Sequence, residues 1–177
     1  MVACAVALKA TGQSARFIRD LWQRVGAFET APSMAALGYP PHISFLVFDD
    51  ADPAEVAAVA LPILRQMPRL TVKFSRLDWF REPHRVLWAA PDETAVAALR
   101  AAHEALHVAL PHLRCQPHYA AGNWIPHCTL GLAFREDNLQ AAEQSANQPM
   151  PPTDVVFDTA DVITFPPIKV FAEVALR

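Results

Sequence analysis

The sequence predicts one domain of mixed strands and helices, built as two related lobes that each contribute one histidine motif. Three observations carry that prediction. Pro-His-apolar-hydroxyl occurs at Pro41-His42-Ile43-Ser44 and again at Pro126-His127-Cys128-Thr129, an offset of 85. At the same offset Leu70 falls on Val155, Val72 on Phe157, Leu77 on Val162 and Phe80 on Phe165. The order strand, helix, loop, motif strand, helix, strand therefore runs through the chain twice. Apolar-to-apolar matches alone would mean little in a chain that is 53% apolar, but a shared Pro-His-x-hydroxyl core in register with its flanking strands is specific. The expected organisation is a single duplicated domain over residues 1–177, with motif 1 at 42–44 and motif 2 at 127–129.

Each element has a local reason. "VACAVAL" (Val2–Leu8) is short, apolar and ends near Thr11-Gly12, which reads as a buried strand. From Ser14 the apolar positions Phe17, Ile18, Leu21, Trp22 and Val25 follow helical spacing to about Phe28. A proline- and glycine-punctuated loop then enters the motif strand Ile43–Phe48. Asp52-Pro53 reads as an N-cap with proline in the first turn of a helix to about Met67. Leu70, Val72 and Phe74 alternate with polar residues, a half-buried strand continuing to Phe80, and Val86–Ala90 is a further strand. Asp92 caps an alanine-rich helix to about Leu110. The second motif strand is expected over Ile125–Phe134, a short helix near Glu136–Ala146, and two closing strands at Val155–Phe165 and Lys169–Leu176 joined around Pro166-Pro167.

Composition narrows the function classes. The net charge of −3 argues against a protein held on nucleic acid by bulk electrostatics, although it allows a local basic patch. Cys4, Cys115 and Cys128 have neither paired nor metal-site spacing and read as reduced thiols of a cytoplasmic protein. The apolar N-terminus lacks a leading positive charge, so no signal peptide is expected. No run approaches the 18 apolar residues that a membrane span needs. The chain carries no P-loop, glycine-rich phosphate cradle or paired-carboxylate signature.

Residues two apart on a strand share a face, so His42 points with Ser44, and His127 with Thr129. Brought together across a pseudo-twofold axis, two imidazoles and two hydroxyls suit a phosphodiester. One imidazole deprotonates the attacking hydroxyl or water while the other protonates the departing oxygen. With an unperturbed pKa near 6.5, histidine reaches both protonation states near neutrality. The hydroxyls hydrogen-bond the non-bridging oxygens.

Two H-x-[ST] motifs on apolar strands half a chain apart, with the stretches "GYPPHISFLVF", "FREPHRVLWAAP" and "PHCTLGLAF", make the sequence resemble the two-histidine phosphoesterase superfamily. The resemblance is to its bacterial branch of 2′-5′ RNA ligase-like proteins, the RNA 2′,3′-cyclic phosphodiesterases, and covers nearly the whole chain. It implies an α+β fold with two pseudo-twofold-related lobes, each an antiparallel sheet with helices packed outside, and an active groove between them. It also implies metal-independent cleavage or transfer at a 2′,3′-cyclic phosphate or a 2′-5′ linkage, with His42 and His127 catalytic and Ser44 and Thr129 binding the phosphate. No cofactor, metal or obligate protein partner is implied; the partner is a nucleotide or RNA end carrying a phosphodiester. RNA-processing members often carry arginine beside the second motif, whereas this chain reads "GNWIPH", and a small cyclic nucleotide joins RNA as an expected substrate. The competing expectation is a non-catalytic nucleotide- or RNA-end-binding module of the same fold. Retention of both histidines favours the enzyme.

Other residues complete the candidate list. Trp124 reads either as a base-stacking aromatic of the groove or as core. Tyr119, with His118, sits shortly before the second motif, at the groove mouth or on loop surface. Arg85, and Lys169 in the corresponding place, read as phosphate-steering cations or as solvated strand-end charges. Trp88 reads as core. His103 and His107, four apart on a helix, have metal-compatible spacing but no third ligand, and read as a solvated helix face.

Overall fold

The computed structural model describes residues 3–82 and 84–177; Val2 of the expected first strand lies outside the described residues. Strand β1 (Ala3–Lys9) opens the chain and is buried along almost its whole length. After a 3-10 turn, α1 (Arg16–Gly26) buries Ile18, Leu21, Trp22 and Val25, the stripe its spacing predicts. The motif strand β2 (His42–Phe48) follows, then α2 (Pro53–Leu64), whose N-cap Asp52 accepts from the Ala54 amide. Strands β3 (Leu70–Phe80) and β4 (Val86–Pro91) lead to α3 (Glu93–Ala109), capped by Asp92. The second motif strand β5 (Cys128–Gly131), α4 (Leu139–Ala146), β6 (Thr153–Phe157), β7 (Thr159–Phe165) and β8 (Lys169–Ala175) complete the chain.

The strands form two antiparallel four-stranded sheets, ordered β2-β1-β7-β8 and β5-β4-β3-β6. This is the α+β, two-lobed architecture expected. One core joins them, with Leu8 and Phe45 from the first sheet, Phe74 and Phe157 from the second, and Leu64 and Leu99 from the helices. Helix α2 packs on β7 and β8, and α1 lies against β5.

Two expected strands change. Val155–Phe165 is not one strand: it breaks at Asp158 into β6, which joins the second sheet, and β7, which joins the first. The break is held by hydrogen bonds. The Asp158 amide donates to the Lys9 carbonyl, Leu176 donates to the Asp158 carbonyl, and the Asp158 carboxylate accepts from the Thr11 amide and hydroxyl. Those bonds let the chain step between sheets without stranding backbone polar groups. The second motif strand is also much shorter than Ile125–Phe134. Pro126 has no amide to offer a ladder, and beyond Gly131 the amides of Leu132 and Ala133 turn to the buried carboxylate of Glu29.

Strand exchange relates the lobes. β3 ends the first repeat yet pairs with β4 of the second, placing Phe80 opposite Val86. β7 ends the second repeat and pairs with β1 of the first, placing Phe165 opposite Ala3. Each half of the sequence completes the other half's sheet.

Candidate active site

The motif strands β2 and β5 are the edge strands of their sheets and approach each other across the molecule. An edge strand exposes unpaired carbonyls, and both are satisfied the same way. The Trp124 indole donates to the Ser44 carbonyl at 3.0 Å, and the Trp22 indole donates to the Thr129 carbonyl at 2.9 Å. Each tryptophan thus anchors the backbone of a motif hydroxyl from behind. The pairing joins residues too distant in the chain for spacing to reveal.

In front, His42, Ser44, His127 and Thr129 line one cavity of about 290 Å³. A second cavity of about 420 Å³ adjoins it and shares His127, Thr129, Tyr119, Gln116 and Leu132. All four motif side chains are half-buried. The two rings are oriented alike: His42 Nδ1 lies 3.0 Å from the Pro40 carbonyl, and His127 Nδ1 lies 2.7 Å from the Ile125 carbonyl. A carbonyl only accepts, so each Nδ1 carries the hydrogen and donates it. That leaves Nε2 of each ring as the nitrogen able to exchange a proton with a ligand in the cavity.

Both imidazoles are less basic than free histidine. Desolvation lowers His42 first of all, against upward pulls from the Pro40 carbonyl and the Asp161 carboxylate. Desolvation lowers His127 to about 4, reinforced by the neighbouring His42 and His118. The rings have different neighbours. Tyr39 meets His42 edge-on, with ring centroids 4.9 Å apart. Phe80 meets His127 edge-on at 4.9 Å and stacks on Trp88.

Tyr119 lines both cavities. Trp124 does not line the groove: its ring is 5% exposed, stacked on His103 at 4.3 Å and packed against Phe45. Its indole nitrogen is committed to Ser44, so the base-stacking expectation gives way to a core role. Arg85 lines neither cavity, and its guanidinium donates to Glu136 on the surface. Trp88 is core, as expected. The His103–His107 pair is not a solvated face. His103 is buried, and both Nε2 atoms lie 2.9 Å from the Tyr119 carbonyl, bracing the loop that carries Tyr119. Among the described residues no cluster of three or more metal-ligating side chains forms. Gln116, shared by both cavities, and the buried Tyr39 and Asp161 beside His42 had no sequence motif to announce them.

Residues 13–165 match the profile of the 2′-5′ RNA ligase superfamily. The chain belongs to that superfamily. Solved structures similar to this superfamily member span nearly its full length. TT0787 of Thermus thermophilus is 14% identical with a TM-score of 0.61, covering 99% of this chain and 98% of its own. E. coli LigT in apo form is 13% identical with a TM-score of 0.64, covering 98% and 96%. Usb1 of Kluyveromyces marxianus is 13% identical with a TM-score of 0.57, covering 98% and 97%. LigT has also been solved in complex with 3′-AMP. At these identities the likeness is one of fold. No curated protein matches the chain. Membership of the superfamily supports phosphodiesterase-type chemistry in general, and among the described residues no helix is long and apolar enough to cross a membrane.

Proposed function

We propose that this protein opens nucleoside 2′,3′-cyclic phosphates, free or at an RNA end, or cleaves a 2′-5′ phosphodiester, by paired-histidine acid–base catalysis. The observation that carries the reading is one cavity lined by two imidazoles and two hydroxyls, with both Nδ1 atoms tied to backbone carbonyls. With a cyclic phosphate bound, one Nε2 takes a proton from water as its oxygen bonds to phosphorus. The P–O3′ bond breaks, and the other Nε2 protonates the departing O3′. A nucleoside 2′-phosphate results, and the proton on the base must pass to solvent before the next turnover. Ser44 and Thr129 donate to the non-bridging oxygens as negative charge builds there. Both proton transfers are supplied by side chains, so the scheme calls for no metal.

Two observations support a small nucleotide over long RNA. No lysine or arginine is among the described residues lining either cavity. Arg81 and Arg85, the chain neighbours of the cavity-lining Phe80 and Val86, are paired with Glu143 and Glu136. A long RNA needs several phosphate contacts, whereas a mononucleotide needs only the scissile one held. LigT, solved with 3′-AMP, is a protein of this fold that accepts a nucleotide.

The test is product analysis with the four nucleoside 2′,3′-cyclic phosphates, a cyclic-ended RNA and a 2′-5′ dinucleotide, in excess chelator. Formation of 2′-phosphates, fastest with the mononucleotides, is the expected result. No turnover of any of them would reduce the site to a nucleotide-binding module, and activity restored only by a divalent ion would remove the metal-free scheme.

A further inference from the structure

Behind His42 lies a buried charged cluster that the catalytic scheme does not use. Asp161 on β7 is fully buried. The Tyr39 hydroxyl donates to its Oδ1 at 2.6 Å, and the Lys9 ammonium lies 2.9 Å from its Oδ2. Lys9 is itself 5% exposed and reaches Glu173 on β8 at 2.5 Å. The strand register puts this cluster on the face of His42. Lys9 is the direct cross-strand partner of His42, and Ala7 is the partner of both Ser44 and Asp161. Paired residues share a face, so Lys9, Asp161, His42 and Ser44 all rise from one side of the sheet.

The second lobe has the register but not the cluster. There Trp88 is the partner of both Thr129 and Asp78, in the places of Ala7, Ser44 and Asp161. Ala7 leaves room above the sheet for Tyr39 and the ion pair. Trp88 fills that room with its indole and faces His127, ring centroids 6.0 Å apart. Asp78 is half-buried and pairs with Arg76 and the Trp79 amide instead. His127 is thus set among aromatic rings and other imidazoles, and His42 beside a carboxylate.

We propose that Asp161, held by Tyr39 and Lys9, is a positioning residue that makes His42 the proton carrier of the pair and leaves His127 as the base. The inference rests on the acid–base scheme above. The groups facing His42 are Lys9 on β1, Asp161 on β7, Glu173 on β8 by way of Lys9, Tyr39 on the preceding loop, and His127 just before β5, while the neutral Cys128 thiol meets the His42 backbone. Among these, Asp161 favours the imidazolium. His127 receives the opposite influence from His42 and His118. Burial pushes the Asp161 carboxyl up, and the hydrogen bonds from Tyr39 and Lys9 pull it back toward the charged form.

The decisive measurement is an NMR pH titration of the ring C–H signals of His42 and His127 in the full chain, without substrate. His42 is expected to titrate above His127. Asp161→Asn keeps the side chain's shape, and Lys9 keeps Glu173; His42 should then titrate at lower pH while His127 moves little. Tyr39→Phe removes a hydrogen bond that disperses the Asp161 charge, so His42 should move the other way, to higher pH. A merely structural cluster would not produce opposite signs. In kinetics, Asp161→Asn should move the alkaline limb of the kcat/KM profile to lower pH by about one unit and leave the acid limb in place. The proposal falls if His127 titrates above His42, if both substitutions in folded protein leave His42 unmoved or move it in one direction, or if the acid limb shifts. Should Asp161→Asn fail to fold, the Tyr39→Phe shift decides. Because the titration needs no substrate, it gives its answer even if no cyclic nucleotide is turned over, which would count against the proposed reaction alone.

Discussion

Lobe one surrounds its histidine with a tyrosine and a buried ion pair, whereas lobe two surrounds its own with Phe80 and Trp88. Behind the motifs the lobes agree: each Nδ1 donates to the carbonyl two residues earlier, and each motif hydroxyl residue has its backbone carbonyl held by an indole. The difference teaches where a site built from two lobes has latitude. In the proposed reaction, ring orientation and strand position must match for two imidazoles to meet one phosphorus. The environments need not match, because acid and base have opposite requirements. A nearby carboxylate suits a ring that must hold a proton, and a desolvated aromatic corner suits one that must be neutral to accept it.

The comparison is tested hardest by deleting the rings. His42→Ala and His127→Ala should each lower kcat by roughly 10²–10⁴-fold. The double variant should be little slower than either, because both act in one step. Near wild-type turnover in one folded single variant would remove the paired mechanism. The pH profile sharpens the asymmetry. The proposed reaction needs a neutral base and a protonated acid, while burial lowers His127 to about 4 and holds His42 below the ordinary 6.5. The rate constant kcat/KM should therefore rise through about pH 4, peak below pH 6.5 and decline above it, by up to tenfold per unit. A maximum in the alkaline range would contradict the desolvation of both rings.

Stability offers a third contrast. At the repeat offset, Gly131 of β5 corresponds to the buried Leu46 of β2. A Cβ on Gly131 would meet Val25 Cγ1 at 2.6 Å, Phe134 Cζ at 2.8 Å and Glu29 Oε1 at 3.0 Å. Gly131→Ala should therefore destabilise the fold by about 1–3 kcal/mol in denaturant melts, and an unchanged midpoint would mean that corner yields freely. Ser44→Ala and Thr129→Ala should each cost about 1–3 kcal/mol of transition-state stabilisation, read from kcat/KM with stability unchanged. The smallest effects are expected from Trp22→Phe and Trp124→Phe, about 0.5–1.5 kcal/mol each in stability from one lost backbone hydrogen bond. A much larger loss in one would show that the two anchors are not equivalent.

Much of this molecule is written locally. Alternation of His42 with Ser44 and of His127 with Thr129, the helical stripe of α1, and the caps Asp52 and Asp92 follow from backbone period and hydrogen-bonding geometry, which near neighbours decide. The 85-residue spacing made legible two lobes and four side chains that line one cavity. Tertiary structure decided what depends on partners far along the chain. It split Val155–Phe165 between two sheets, because each half was already matched to a different strand, β3 or β1. It sent Trp124 inward, because an edge carbonyl 80 positions away required a donor. It joined Tyr39 to Asp161 across 122 positions, on the one lobe where an alanine leaves space above the sheet. Periodicity gives the face on which a side chain lies, but its partner is set only when closure of the core brings distant polar groups out of water and each must be satisfied.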